Sequence, residues 1–117
     1  MGNSKRYDLE DRTLKFAKDV RDFLKRVPNT LSNVEYSKQL IKSSGSVGSN
    51  YREANEALGK KDFGMRIKIC RKESKESIYW LELVECKKDD EPERLRLTQE
   101  ATELMKIFGA ILEKTKS

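Results

Sequence analysis

Residues 43–50 read Ser-Ser-Gly-Ser-Val-Gly-Ser-Asn, and six of the eight are Ser or Gly. That is the composition of a flexible linker. A linker here would leave two pieces, neither large enough to bury much of a core. The flanking apolar residues argue against it. Tyr36, Leu40, Ile41, Val47, Tyr51, Ala54 and Leu58 keep one helical phase across the segment. Ser44 and Gly48 fall on one face, between Ile41 and Tyr51. A linker has no reason to preserve phase, so one continuous helix is expected over residues 33–58. Each interior glycine costs about 1 kcal/mol relative to Ala. Close packing is the expected compensation, because Ser44 with Gly48 and Gly45 with Ser49 are small residues four apart that admit a neighbouring backbone.

Three further helices flank this one. Asp8 is a candidate cap for a helix over residues 8–27, carrying Leu9, Phe16, Ala17, Val20, Phe23, Leu24 and Val27 at spacings of three and four. Pro28 ends it, and Ser32 or Asn33 is placed to cap the second helix. Gly59 suits a C-cap, and Asp62 a cap for a third helix over residues 62–87. Pro92 opens the fourth, over residues 92–115, with Leu95, Ala101, Leu104, Met105, Phe108, Ile111 and Leu112 on one side. Four amphipathic helices with short connections predict an all-α fold, an antiparallel up-down-up-down four-helix bundle forming a single domain over residues 1–117.

Composition excludes several chemistries. The chain has 36% apolar and 38% charged residues, a net charge of +5 and a pI near 9.2, which suits an anionic partner without demanding one. There is no apolar run long enough for a membrane span. No secretory signal is visible, and the N-terminal MGNSKR departs from the myristoylation pattern at Arg6. A cytoplasmic location is expected. Histidine is absent, which removes Ser-His and Cys-His nucleophiles. Cys70 and Cys86, both assigned to helix three, would stand roughly 24 Å apart, beyond disulfide reach. No P-loop or GxGxxG occurs. Glu53, Glu73 and Glu76 invite a di-iron reading, but without histidine that site lacks its usual ligands. Pairing with Arg52, Lys72 or bundle-end polar groups is expected instead. No catalytic residue, metal or cofactor is therefore expected, and the chain reads as a non-enzyme.

Helix three carries three kinds of face. Phe63, Ile67, Cys70, Ser74, Ser77, Ile78, Leu81 and Val84 form the core stripe. Met65, Ile69, Trp80 and Leu83 form a second apolar side, which a bundle monomer does not need and which suggests a contact between subunits. Lys61, Lys68, Arg71, Lys72 and Lys75 fall within roughly 100° of arc. Residues 60–75 hold seven basic and two acidic residues, so this window alone carries +5. It can contact phosphates, or it can be a solvated face. No aromatic residues alternate with the lysines, so no sequence-specific readout is implied.

The stretches at 36–63 and 66–85 resemble the four-helix bundle proteins of the 23S rRNA intervening-sequence family. The matching positions are Gln39, Leu40, Ser43, Ser46, Gly48, Asn50, Glu53 and Ala54, then Lys72, Glu73, Glu76, Tyr79, Trp80, Leu81 and Leu83. Lys42 stands where the family usually has Arg. The resemblance covers roughly residues 7–114. It implies a homopentamer of bundles arranged as a barrel, with no catalytic residues. A related branch is the accessory variability determinant of diversity-generating retroelements, which binds a reverse transcriptase and nucleic acid through a basic surface. Two functions are thus expected to compete. One is a sequence-tolerant RNA- or DNA-binding oligomer; the other is a structural or protein-interaction scaffold.

Overall fold

The computed structural model describes residues 4–116. Four helices, α1 (Ser4–Leu24), α2 (Leu31–Asn55), α3 (Lys60–Leu83) and α4 (Glu91–Thr115), pack side by side, with a 3₁₀ turn at Lys88–Asp90. No strand occurs among the described residues. The long helices α2 and α4 run about 37 Å each, most of the 45 Å long axis. α1 and α3 each adjoin both α2 and α4, so the helices follow one another around the core in chain order. Phe16, Val20 and Phe23 of α1 meet Leu40 and Val47 of α2, Ile67 and Leu81 of α3, and Leu97, Leu104 and Phe108 of α4 in a fully buried centre. Cys70 joins this core, and burial pushes its thiol up to about 12.

The Ser/Gly segment is the uninterrupted interior of α2. Its small residues serve two neighbours. Toward α3, Ser43 shares a 2.9 Å hydrogen bond with Ser77, and the Cys70 thiol donates to the Val47 carbonyl. Toward α1, a Cβ on Gly48 would lie 2.9 Å from Thr13 Oγ1 and 3.2 Å from Thr13 Cβ. Thr13 is fully buried and its hydroxyl donates to the Leu9 carbonyl, so it has little freedom to yield. The expected packing is corrected at Gly45, where a Cβ would meet nothing. Close approach is needed at Gly48 alone.

Helix ends differ from the expected ones for local reasons. α1 begins at Ser4, so Asp8 lies inside it. Thr30, neither Ser32 nor Asn33, caps α2 by accepting from the Asn33 amide. The Asn33 side chain is buried instead, donating to the Pro28 and Glu85 carbonyls and accepting from the Glu85 amide. α2 stops at Asn55 with Glu56 as its C-cap, and Gly59 is the N-cap of α3, with Asp62 in the first turn. Leu58 falls between the helices and is fully exposed. α3 ends at Leu83 because Val84 turns extended, its side chain buried and the next amide held by Asn33. Cys86 therefore lies off α3, and both cysteines are free.

α1 is fixed to α4 by charge. Arg12 makes a two-pronged contact with Glu100 at 2.7 and 2.8 Å and reaches Glu103 at 2.9 Å. Asp19 accepts from Lys15 and from Arg96, and Arg96 also holds Glu93. Arg26 pairs with Asp90 at 3.3 Å. The Glu100 hydrogen bond raises the Arg12 pKa further above its ordinary value. Burial works to raise the Asp19 carboxyl, but its bonds to Lys15 and Arg96 outweigh this and leave it below the usual carboxylate value.

Candidate nucleic-acid interface

The structure places Lys61, Lys68, Arg71, Lys72 and Lys75 along the outer side of α3, all exposed. They border a groove that α3 forms with α4. One stretch of it, of 560 Å³, is lined by Lys68, Arg71, Lys72, Lys75, Met105 and Lys106. The next, of 550 Å³, shares Lys68 and runs past Lys61 and Met65 to Leu112. The grooves are thus continuous through Lys68. Among the described residues, none of the five predicted cations makes an ion pair or a side-chain hydrogen bond. The Arg71 side chain instead lies over Gly109, its Cδ 3.7 Å from where a Cβ would stand.

Lys106 and Met105 were not readable as part of this site, because only packing of α4 on α3 brings them to it. Tyr79 was readable. It stands one turn beyond Lys75, on the same side of the helix, and is 56% exposed. Tyr79 does not alternate with the lysines; it follows the last of them on the same side. The Tyr79 ring meets Trp80 edge-on, with centroids 5.0 Å apart and planes at 73°.

The second apolar side of α3 is divided. Trp80 is half-buried against the core and packs on Tyr36 of α2 at 5.9 Å. Ile69 and Leu83 are half-buried, while Met65 is exposed in the basic groove. Other exposed apolar residues lie on the α1–α2 side, where Val34 and Ile41 line one hollow and Leu14 another.

Of the partners expected for Glu53, Glu73 and Glu76, namely Arg52, Lys72 or bundle-end polar groups, neither Arg52 nor Lys72 forms an ion pair with them among the described residues. Glu73 and Glu76 instead line a polar cleft of 240 Å³ between α2 and α3, with Gln39, Lys42, Ser43, Lys72 and Trp80. Below it, Arg66 donates to Asn50, which donates to the Ser46 carbonyl. Much of the motif that carries the family resemblance is gathered on this side of the bundle. No group of three or more His, Cys, Asp or Glu among the described residues is arranged to hold a metal ion, and no helix is long and apolar enough to cross a membrane.

The sequence profile of the 23S rRNA-intervening sequence proteins matches residues 5–110. The chain is also similar to a crystal structure from Bacteroides thetaiotaomicron VPI-5482, described as a protein with unknown function from the S23 ribosomal protein family. The two share 29% identity with a TM-score of 0.80, over 93% of this chain and 98% of the other. No protein of curated function gives a significant match.

Proposed function

The chain belongs to the 23S rRNA-intervening sequence protein family, and from that premise we propose that it is a non-enzymatic, sequence-tolerant nucleic-acid-binding module of the cytoplasm. The observation that carries this reading is the α3–α4 groove, bordered by five cations that no carboxylate of the described chain neutralises. Unpaired cations in a row suit a polyanion, and phosphate contacts position a nucleic acid without specifying its sequence. Alternating course of the helices supports the same bundle. Arg12 and Asp19 of α1 and Arg26 just after it meet Glu100 and Arg96 of α4 and Asp90 just before it, so the partners' numbers fall as the first series rises. That is the order of an antiparallel pair.

Assembly as a homo-oligomer, with a pentamer as the expected state, belongs to the same proposal. A ring would repeat the groove and let weak contacts act together. Of the interface first expected, Ile69, Trp80 and Leu83 are kept for the subunit contact and Met65 is assigned to the groove, while Leu14, Val34 and Ile41 offer further exposed apolar surface. Those same exposed apolar residues favour the other reading, a protein-interaction scaffold whose lysines serve only solubility.

Titration of a labelled single-stranded RNA and a duplex DNA at low salt tests the proposal, with light scattering to give the oligomer mass. Binding is expected to weaken with a log–log salt slope of about −0.7 to −0.9 per neutralised phosphate. The triple variant Lys68→Glu, Arg71→Glu, Lys75→Glu is expected to lose binding by about 100-fold or more, roughly 2.7 kcal/mol, with its helical circular dichroism intact. Wild-type protein that binds neither nucleic acid would leave the scaffold reading. A mass change in the triple variant would place these cations at a subunit contact.

A further inference from the structure

Resting on the nucleic-acid reading, we infer that the α3–α4 groove takes single-stranded rather than duplex nucleic acid, with phosphates along its basic edge and a base stacked on Tyr79. A surface that met phosphates alone would need only a crest of charge. This one has an apolar component. Met65 is 55% exposed beside Lys61 and Lys68, and Met105 lines the groove beside Arg71 and Lys75. A duplex keeps its bases in the stack and presents phosphate and sugar, so it would set charged backbone against these methionines. A single strand presents both chemistries, and can turn phosphates to the lysines and base faces to the apolar residues.

Tyr79 extends this arrangement. From Lys61 to Tyr79 the stripe runs about 27 Å along α3. The basic residues stop at Lys75, and the next exposed position on that side is the tyrosine ring. Its edge-on contact with Trp80, which in turn packs on Tyr36, braces the ring while more than half of its surface stays open. A braced, exposed ring in line with unpaired cations is the pattern of a stacking platform beside a phosphate track. Glu76 and Glu82, three residues to either side of it, disfavour a phosphate at the tyrosine and leave the base as the group that fits there.

The test compares affinities of a labelled oligouridylate and a duplex DNA for wild type, Tyr79→Ala, Tyr79→Phe and Met65→Ser at one low salt concentration. Both substituted positions are exposed, and circular dichroism checks that the variants fold. Tyr79→Ala is expected to weaken oligouridylate about 5- to 150-fold, the range for loss of one base–aromatic stack, and to leave duplex affinity unchanged. Tyr79→Phe should keep wild-type affinity, and oligouridylate should change Trp80 fluorescence through the adjoining ring. Met65→Ser should also weaken the single strand alone. Equal losses for both ligands, or none, would overturn the inference while leaving phosphate binding intact. Displacement of oligouridylate by polyglutamate at equal charge would overturn it too, since the groove would then read charge alone. Failure of wild type to bind either nucleic acid removes the underlying reading, an outcome distinct from these.

Discussion

Arg12 and Arg71 approach α4 from opposite flanks and meet different chemistry. Arg12 comes from α1 and finds Glu100 and Glu103, while Glu93 lies further along the same flank. Arg71 comes from α3 and finds Gly109, with Met105 and Lys106 beside it, and makes no ion pair among the described residues. One helix thus meets Arg12 of α1 with acids and meets Arg71 of α3 with a glycine. α1 is closed on its other side as well, where Gly48 of α2 brings the backbones together over Thr13. The difference teaches that the basic residues of this chain are of two kinds. Arg12, Arg26 and Arg96 on the α1 flank hold the bundle together, whereas Lys61, Lys68, Arg71, Lys72 and Lys75 on the α3 flank make no ion pair among the described residues. Net charge alone does not distinguish them.

The contrast breaks most decisively at Gly48. A leucine there would drive its side chain into Thr13, and overpacking of this size is expected to cost about 3 kcal/mol, lowering Tm by 10 °C or more by the usual scaling of about 4 °C per kcal/mol. Gly45→Ala is the matched control. It has open space and removes a helical glycine, so it should stabilise by up to about 1 kcal/mol. Thermal melts of the two variants moving in the same direction would mean that α1 is not docked through Gly48.

Arg12→Ala should have a smaller effect, about 1 kcal/mol of stability, since the two-pronged bond is lost from a partly exposed network. Its nucleic-acid affinity should equal wild type. A variant that melts normally but binds less would erase the distinction between the two flanks.

The smallest expected effect is an acid limb specific to the α1 flank. The Arg96 hydrogen bond holds Glu93 below its ordinary value of 4.5, and Asp19 is held below 3.8. Between folded and unfolded values the unfolded chain binds more protons, so this contribution is present above those ordinary values and is lost as pH falls through the lower folded ones. Melting temperature followed from neutral pH into that range should fall, and Arg96→Ala should flatten the fall. An identical acid limb in Arg96→Ala would show that the network does not supply it.

Much of the fold was legible because helical phase survives composition. The Ser/Gly segment keeps the spacing of Leu40, Val47, Tyr51 and Ala54, all buried, and that spacing outweighs the linker-like residues. Caps were less legible. Thr30, Ser32 and Asn33 are all good N-cap residues, and the choice among them is made by Glu85, more than fifty positions away, which takes the Asn33 side chain. In the groove, the α3 stripe followed from the wheel, and so would Tyr79 had the stripe been carried one turn further. Lys106 had no local signal. The absence of partners around Arg71 depends on which face α4 presents, a matter of packing that no single helix encodes.

Asn33 gives the connection after α3 an unusual degree of protection. The Glu85 amide sits outside every helix, where amides ordinarily exchange with solvent quickly, yet it donates to a buried side chain at 2.9 Å. Its deuterium uptake should therefore follow the opening of the α2 N-terminus rather than the fraying of its own segment. Two regions remote in sequence become one cooperative unit at that end of the bundle, and the interhelical connection inherits the persistence of the helices it joins.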